Sequence, residues 1–127
     1  MRVLLVDDEI EFVSALAERL AIRGIDADWT NRPEEAIERV QEDCYDIAVL
    51  DVKMPRVSGF DLKKRLEEKC PAMKFIFLTG HGSEEAFEAG VTETGTDYYL
   101  VKPVRFDELL GKIHSAAAKP SEGENNG

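Results

Sequence analysis

Residues 47–62 read IAVLDVKMPRVSGFDL. Four apolar residues in a row (47–50) stop at Asp51, a proline and a glycine follow at 55 and 59, and Leu62 and Leu66 then fall at helical spacing. An unbroken apolar run of this length, bounded by turn residues, fits a parallel strand covered on both faces. Proline and glycine punctuate a loop, and the Leu62/Leu66 spacing begins an amphipathic helix. The segment is therefore a strand–loop–helix unit with an acid at the carboxyl end of its strand.

The same unit recurs along the chain. The apolar runs are β1 at 3–6 (VLLV), β3 at 47–50, β4 at 75–78 (FIFL) and β5 at 98–101 (YYLV). Residues 25–29 (IDADW) form a weaker, alternating β2 suited to a sheet edge. Between them, α1 runs through 12–20 on Phe12, Val13, Leu16, Ala17 and Leu20, with Gly24 as its stop. Helix α2 starts at Pro33, capped near Asn31 or Arg32, and turns Ala36, Ile37 and Val40 inward. Helix α3 carries Leu62 and Leu66 and closes near Cys70–Pro71, and α5 carries Phe106, Leu109, Leu110 and Ile113. The weakest helix, α4 near 83–94, contains Gly90, Val91, Thr92 and Thr94, and one interior glycine costs about 1 kcal/mol against alanine. Alternation with short right-handed crossovers predicts an α/β fold, a (βα)5 doubly wound parallel five-stranded sheet. With β2 at an edge the strand order is 2-1-3-4-5, and ligands bind at the carboxyl ends of the strands near β1 and β3.

Composition narrows the function classes. The chain has 127 residues, one domain's worth, with 43% hydrophobic and 33% charged residues, so a packed core is expected rather than disorder. The domain is expected over 1–119, with 120–127 (PSEGENNG) as a polar flexible tail or the start of a linker. Acids outnumber bases 26 to 16, a formal charge of −10, which disfavours direct nucleic-acid or anionic-membrane binding. Met1 leads straight into RVLLV without a signal-peptide layout, so a cytoplasmic location is expected. Cys44 and Cys70 stand alone near predicted helix ends; a disulfide between them is possible but nothing in the sequence supports it, and a reduced protein is expected.

Four strand ends converge on one crevice in this fold. They bring Asp7, Asp8 and Glu9 after β1, Asp51 after β3, Thr79-Gly80-His81-Gly82 after β4, and Lys102-Pro103 after β5. Converging carboxylates repel one another and raise at least one pKa unless a cation intervenes. Mg²⁺ suits such a site, because it takes one or two carboxylates and keeps several waters. An aspartate can then accept a phosphoryl group as an acyl phosphate. The Lys102 ammonium and the Thr79 hydroxyl can meet phosphoryl oxygens. Singly, each feature has a plain reading: helix N-terminal acids, a turn aspartate, a strand exit, a solvated lysine. Their weight comes from occurring together, at the same ends of four strands.

LLVDDE, VLDVKMPRVSGFDL, FLTGHGSEEA and DYYLVKPV together resemble the receiver domain of two-component response regulators, over about residues 2–118. The resemblance implies that Asp51 accepts the phosphoryl group from a sensor histidine kinase or a histidine phosphotransfer protein. It implies Mg²⁺ or Mn²⁺ at Asp8 and Asp51, at Asp7 through water, and at the backbone carbonyl of Lys53. Thr79 would be the switch hydroxyl, Lys102 the phosphoryl-pairing cation, Pro103 the bearer of a cis peptide, Tyr99 the aromatic switch, and Gly59 the turn glycine near α3. Lys53 and His81 place cationic or titratable groups where water attacks, and are expected to modulate acyl-phosphate lifetime. Thr96 departs from the family's common alanine, and α4 is expected to become better ordered on phosphorylation. The implied function is a phosphoacceptor switch that catalyses its own phosphorylation and dephosphorylation, not an enzyme for external substrates. Its α4-β5-α5 face would engage an unknown downstream protein or output domain, with phosphorylation-dependent dimerisation common in the family. The alternative is a flavodoxin-like small-molecule binding module, which wants a hydroxyl- and glycine-rich loop where this chain has DDEIEF. An aspartyl phosphatase is a further alternative, but such enzymes place the nucleophile after the first strand in an Asp-x-Asp pattern.

Overall fold

The computed structural model describes residues 1–80 and 99–118. Five strands form one parallel sheet in the order β2-β1-β3-β4-β5. The strands are β1 Arg2–Val6, β2 Asp26–Thr30, β3 Ile47–Asp51, β4 Lys74–Thr79 and β5 Tyr99–Val101. The helices are α1 Ile10–Ile22, α2 Pro33–Glu42, α3 Gly59–Lys69 and α5 Phe106–Ala118. The predicted α4, with His81, Thr96 and Tyr98, and the tail from 119 onward lie outside the described residues. Among the described residues no helix is long and apolar enough to cross a membrane.

The unbroken apolar runs have a direct explanation in the two core layers. Leu4, Val6, Ala48, Leu50, Phe75 and Phe77 pack toward α2 and α3. Their neighbours Val3, Leu5, Ile47, Val49, Ile76 and Leu78 pack toward α1 and α5. Successive strand residues point to opposite faces, so a strand buried on both must be apolar throughout. Strand β2 is covered less completely and sits at the sheet edge, as its alternating pattern requires.

Local signals place the helix ends. Gly24 adopts φ +82°, a left-handed conformation open to glycine, and its N–H donates to the Ala21 carbonyl at the end of α1. Pro33 occupies the first turn of α2 behind the cap residue Arg32. Ser58 caps α3, its hydroxyl accepting from the Asp61 N–H at 3.1 Å. Ser58→Ala is expected to lower stability by about 1 kcal/mol, read from the midpoint of urea unfolding, whereas an unchanged midpoint would mean the cap is replaced by water.

The cysteines correct the reduced, unpaired expectation. Cys44 and Cys70 form a disulfide with their Cα atoms 5.9 Å apart. The physical reason is that α2 and α3 lie on the same face of the sheet and share one core layer. That packing carries the loop after α2 against the C-cap of α3, although 26 residues separate the two cysteines. Closing a loop of this length removes unfolded-chain entropy equivalent to about 3–4 kcal/mol.

Candidate functional site

The sheet register builds the site. Asp51 is the last residue of β3 and lies opposite Leu78, so Thr79, the last residue of β4, is one step further along the same edge. Thr79 in turn lies opposite Val101, and Lys102 follows immediately, its N–H donating to the Thr79 carbonyl at 2.6 Å. Asp51 and Thr79 thus complete their strands instead of following them. The Lys102–Pro103 peptide is cis.

Asp7 is fully buried, Asp51 is 4% exposed, and Asp8 reaches solvent. Carboxylate oxygens of all three lie within 4.8 Å of one another. Lys102 reaches into this group, with Nζ 2.9 Å from Asp7 Oδ2, 3.0 Å from Glu9 Oε1 and 3.6 Å from Asp51 Oδ1. The contact to the buried Asp7 Oδ2 is an ion pair by distance but lacks hydrogen-bond alignment. Asp7 Oδ1 accepts from the Glu9 N–H at 2.9 Å. The Thr79 hydroxyl donates to the Leu100 carbonyl at 3.5 Å.

The electrostatics show a crowded, anionic pocket. Burial first, then the neighbouring Asp7 carboxylate, pushes the Asp51 carboxyl up to about 7, against the pull of Lys102. Burial also raises Asp7, opposed by the Glu9 N–H and by Lys102. Burial by itself would lower the pKa of the Lys102 ammonium, but Asp7, Glu9 and Asp51 hold it above its ordinary value. Lys102 does not by itself balance Asp7, Asp8, Glu9 and Asp51, and a hard divalent ion would relieve the excess negative charge. The exposed Asp8 and the poorly satisfied Asp7 Oδ2 fit such an ion. The cleft has a volume of about 680 Å³ and is lined by Asp8, Glu9, Asp51, Lys53, Lys102 and Pro103, among others.

A family model described as the response regulator receiver domain matches residues 3–114. The chain belongs to this family. The receiver domain is 33% identical over 121 residues to the two-component response regulator PhoP of Pseudomonas aeruginosa, covering 95% of this chain and 53% of that protein. It is 35% identical over 115 residues to the response regulator MprA of Mycobacterium leprae, covering 91% of this chain and 50% of that one. The chain therefore spans about half the length of these curated relatives. A CheY-like receiver domain protein from Methanospirillum hungatei superposes with TM-score 0.82 at 28% identity, covering 91% of this chain and 92% of its own. A receiver domain from Clostridium thermocellum gives 0.80 at 31%, covering 91% and 93%.

The receiver fold brings Asp7, Asp8, Asp51, Thr79 and Lys102 to one edge, with Lys53 on the cleft wall. Tyr99 sits one strand length away, its ring stacked on Phe77 at 5.5 Å and tilted against Phe60 at 6.4 Å. Two contributors are not evident from the sequence. Glu9 supplies an oxygen to Lys102, and the Phe12 ring lies 5.2 Å from its Nζ, a cation–π contact. Glu9 is visible as an acid after β1, but no spacing rule ties it to a lysine 93 residues away. Phe12 satisfies the core periodicity of α1, which conceals its second contact.

Proposed function

We propose that this receiver domain is a phosphoryl-accepting switch of a two-component system, with Asp51 as the acceptor. The observation that carries the reading is the meeting of Asp7, Asp8 and Asp51 oxygens within 4.8 Å of one another, with the Lys102 ammonium 2.9 Å from Asp7 and 3.6 Å from Asp51. An Asp51 carboxylate oxygen attacks the phosphorus of a phosphohistidine on a sensor histidine kinase or histidine phosphotransfer protein. The P–O bond forms, the P–N bond breaks, and the imidazole leaves. Asp8, Asp51 and the Lys53 carbonyl, with Asp7 through water, would hold Mg²⁺ or Mn²⁺, which would neutralise charge on the phosphoryl oxygens.

The chain's own residues account for the rest. Lys102 is already poised 3.6 Å from Asp51 Oδ1, and shifts its pairing from Asp7 and Glu9 to the new dianion. The Thr79 hydroxyl, turned to the Leu100 carbonyl, re-aims its proton at a phosphoryl oxygen. Because Leu100 adjoins Tyr99, that re-aiming acts on the strand that carries the aromatic ring, and through it on the α4-β5-α5 face. Phosphorylation adds nearly two negative charges to a pocket that is already anionic. That face would engage a downstream protein or an output domain, or a second copy of the receiver. Lys53, and His81 beyond the described residues, adjust hydrolysis of the acyl phosphate. We place the domain at 1–119 and the tail or linker at 120–127.

The flavodoxin-like alternative loses its ground here, because Asp7, Asp8 and Glu9 put carboxylates where a ligand phosphate would sit. The deciding experiment is intact-protein mass after incubation with acetyl phosphate, with and without Mg²⁺, beside Asp51→Asn. One phosphoryl adduct that requires both Mg²⁺ and Asp51 is expected. An adduct of equal yield in Asp51→Asn would move the acceptor elsewhere. The absence of any adduct, together with failure to bind beryllofluoride, would remove the switch chemistry.

A further inference from the structure

We propose that Cys44 and Cys70 are a reversible thiol–disulfide modification site, opened by a glutathione-class thiol at Cys44, that governs local opening of the β3–α3 unit. This inference is independent of the phosphoryl reading. The two sulfurs differ in access: Cys44 is exposed, on the loop after α2, whereas Cys70 is 3% exposed within the core layer under α3. Exposed disulfides are the ones that exchange with the thiol pool, and attack falls on the accessible sulfur. An external thiolate attacks Cys44 Sγ, forming a mixed disulfide there and releasing the Cys70 thiolate, which takes a proton from water. A second external thiolate attacks the external sulfur of the mixed disulfide and frees Cys44, so two electrons pass from two thiols to the protein disulfide.

Noncovalent contacts also hold both halves, so the step can reverse without large rearrangement. The Cys44 carbonyl accepts from Arg2 Nη1 at 3.1 Å, and the same guanidinium pairs with Asp43 at 2.8 Å. The Cys70 N–H donates to the Leu66 carbonyl, and the Cys70 carbonyl accepts from the Met73 N–H, each at 3.0 Å. A reduced Cys70 remains a small apolar core residue. The bridge therefore adds little to the closed state and acts on opened ones. It encloses β3 and α3, the segment that carries Asp51, Lys53 and Gly59. Without it, α3 can separate from the loop after α2 with greater freedom, so its amides open more readily.

The test equilibrates the full chain in glutathione buffers from fully reduced to fully oxidised, then traps thiols by alkylation and counts them by mass. A single transition from two labelled thiols to none is expected within that range. Amide exchange at 62–69 is expected to be about tenfold or more faster in the reduced form. Amide exchange at 62–69 in Cys44→Ser is expected to match that of the reduced wild type in every buffer. A bridge that persists under all the buffers, thiols that label throughout, or equal α3 exchange in the two forms would each overturn the proposal. The reduced wild type keeps the exchange comparison available if Cys44→Ser folds poorly.

Discussion

In metal-free protein at pH 8, Asp51→Asn is expected to be more stable than the parent by on the order of 2–4 kcal/mol. The Asp51 carboxyl is pushed up to about 7, first by burial and then by Asp7, from an ordinary value of 3.8. A folded-state pKa above the unfolded one means that the folded protein binds the proton more tightly. Above pH 7 both states are ionised, and the folded state bears the full repulsion. As pH falls from 7 toward 4, the folded carboxyl protonates first and the penalty shrinks, so the parent gains stability across that window. Asparagine carries no charge, so its variant loses this part of the pH dependence. Lys102 keeps Asp7 and Glu9 as partners in the variant, so the substitution strands no buried cation. Urea unfolding of both proteins in chelator, at a series of pH values, reads the difference. Equal midpoints at pH 8 would show that Asp51 does not carry the repulsion. Mg²⁺ should stabilise the parent at pH 8 by mass action, and should stabilise Asp51→Asn less, because one ligand charge is gone.

The same cluster shows why part of the site was legible in sequence and part was not. Every strand except the alternating β2 announces itself by an apolar run, and a doubly wound sheet collects whatever ends those runs at one edge. The sequence therefore brings Asp7, Asp8, Asp51, Thr79 and Lys102 together and puts β2 at an edge. Contacts that depend on side-chain reach across elements were not legible. Lys102 turns back over Phe12 and Glu9, and neither residue's spacing encodes that. The disulfide was hidden for a related reason. Its two cysteines meet because α2 and α3 share a core layer, a relation set by crossover handedness and not by any local pattern. Charge and composition spoke to solubility and to partners, and were silent on pairing.

Gly59→Ala is expected to destabilise the protein by about 2–3 kcal/mol and to slow phosphoryl uptake at Asp51. Read as a sequence, Gly59 is a turn glycine. In the structure it is the first residue of α3, buried, and its backbone is not in the left-handed region. Conformational freedom is therefore not what the position needs. A Cβ there would collide with the Asp51 carbonyl oxygen, and would stand 3.1 Å from Val52 Cα. The obstacle is backbone, fixed on both sides: Val52 N–H donates to the Leu78 carbonyl, and Gly59 N–H donates to the Val52 carbonyl, each at 2.9 Å. Relief must come from moving α3 off the sheet or from tilting the Asp51 peptide, and the second shifts the Asp51 carboxylate itself. Helix propensity works the other way, since alanine is better than glycine inside a helix by about 1 kcal/mol. The collision outweighs that gain, because no flexible side chain can yield. Gly111 in α5 separates the two effects: a Cβ there meets nothing within 4 Å, so Gly111→Ala should stabilise by about 0.5–1 kcal/mol. Urea midpoints and acetyl phosphate labelling rates of the two variants make the comparison. A Gly59→Ala protein as stable as Gly111→Ala would mean that α3 packs loosely on β3. Loss of stability with normal labelling would mean that α3 gives way and the Asp51 peptide does not.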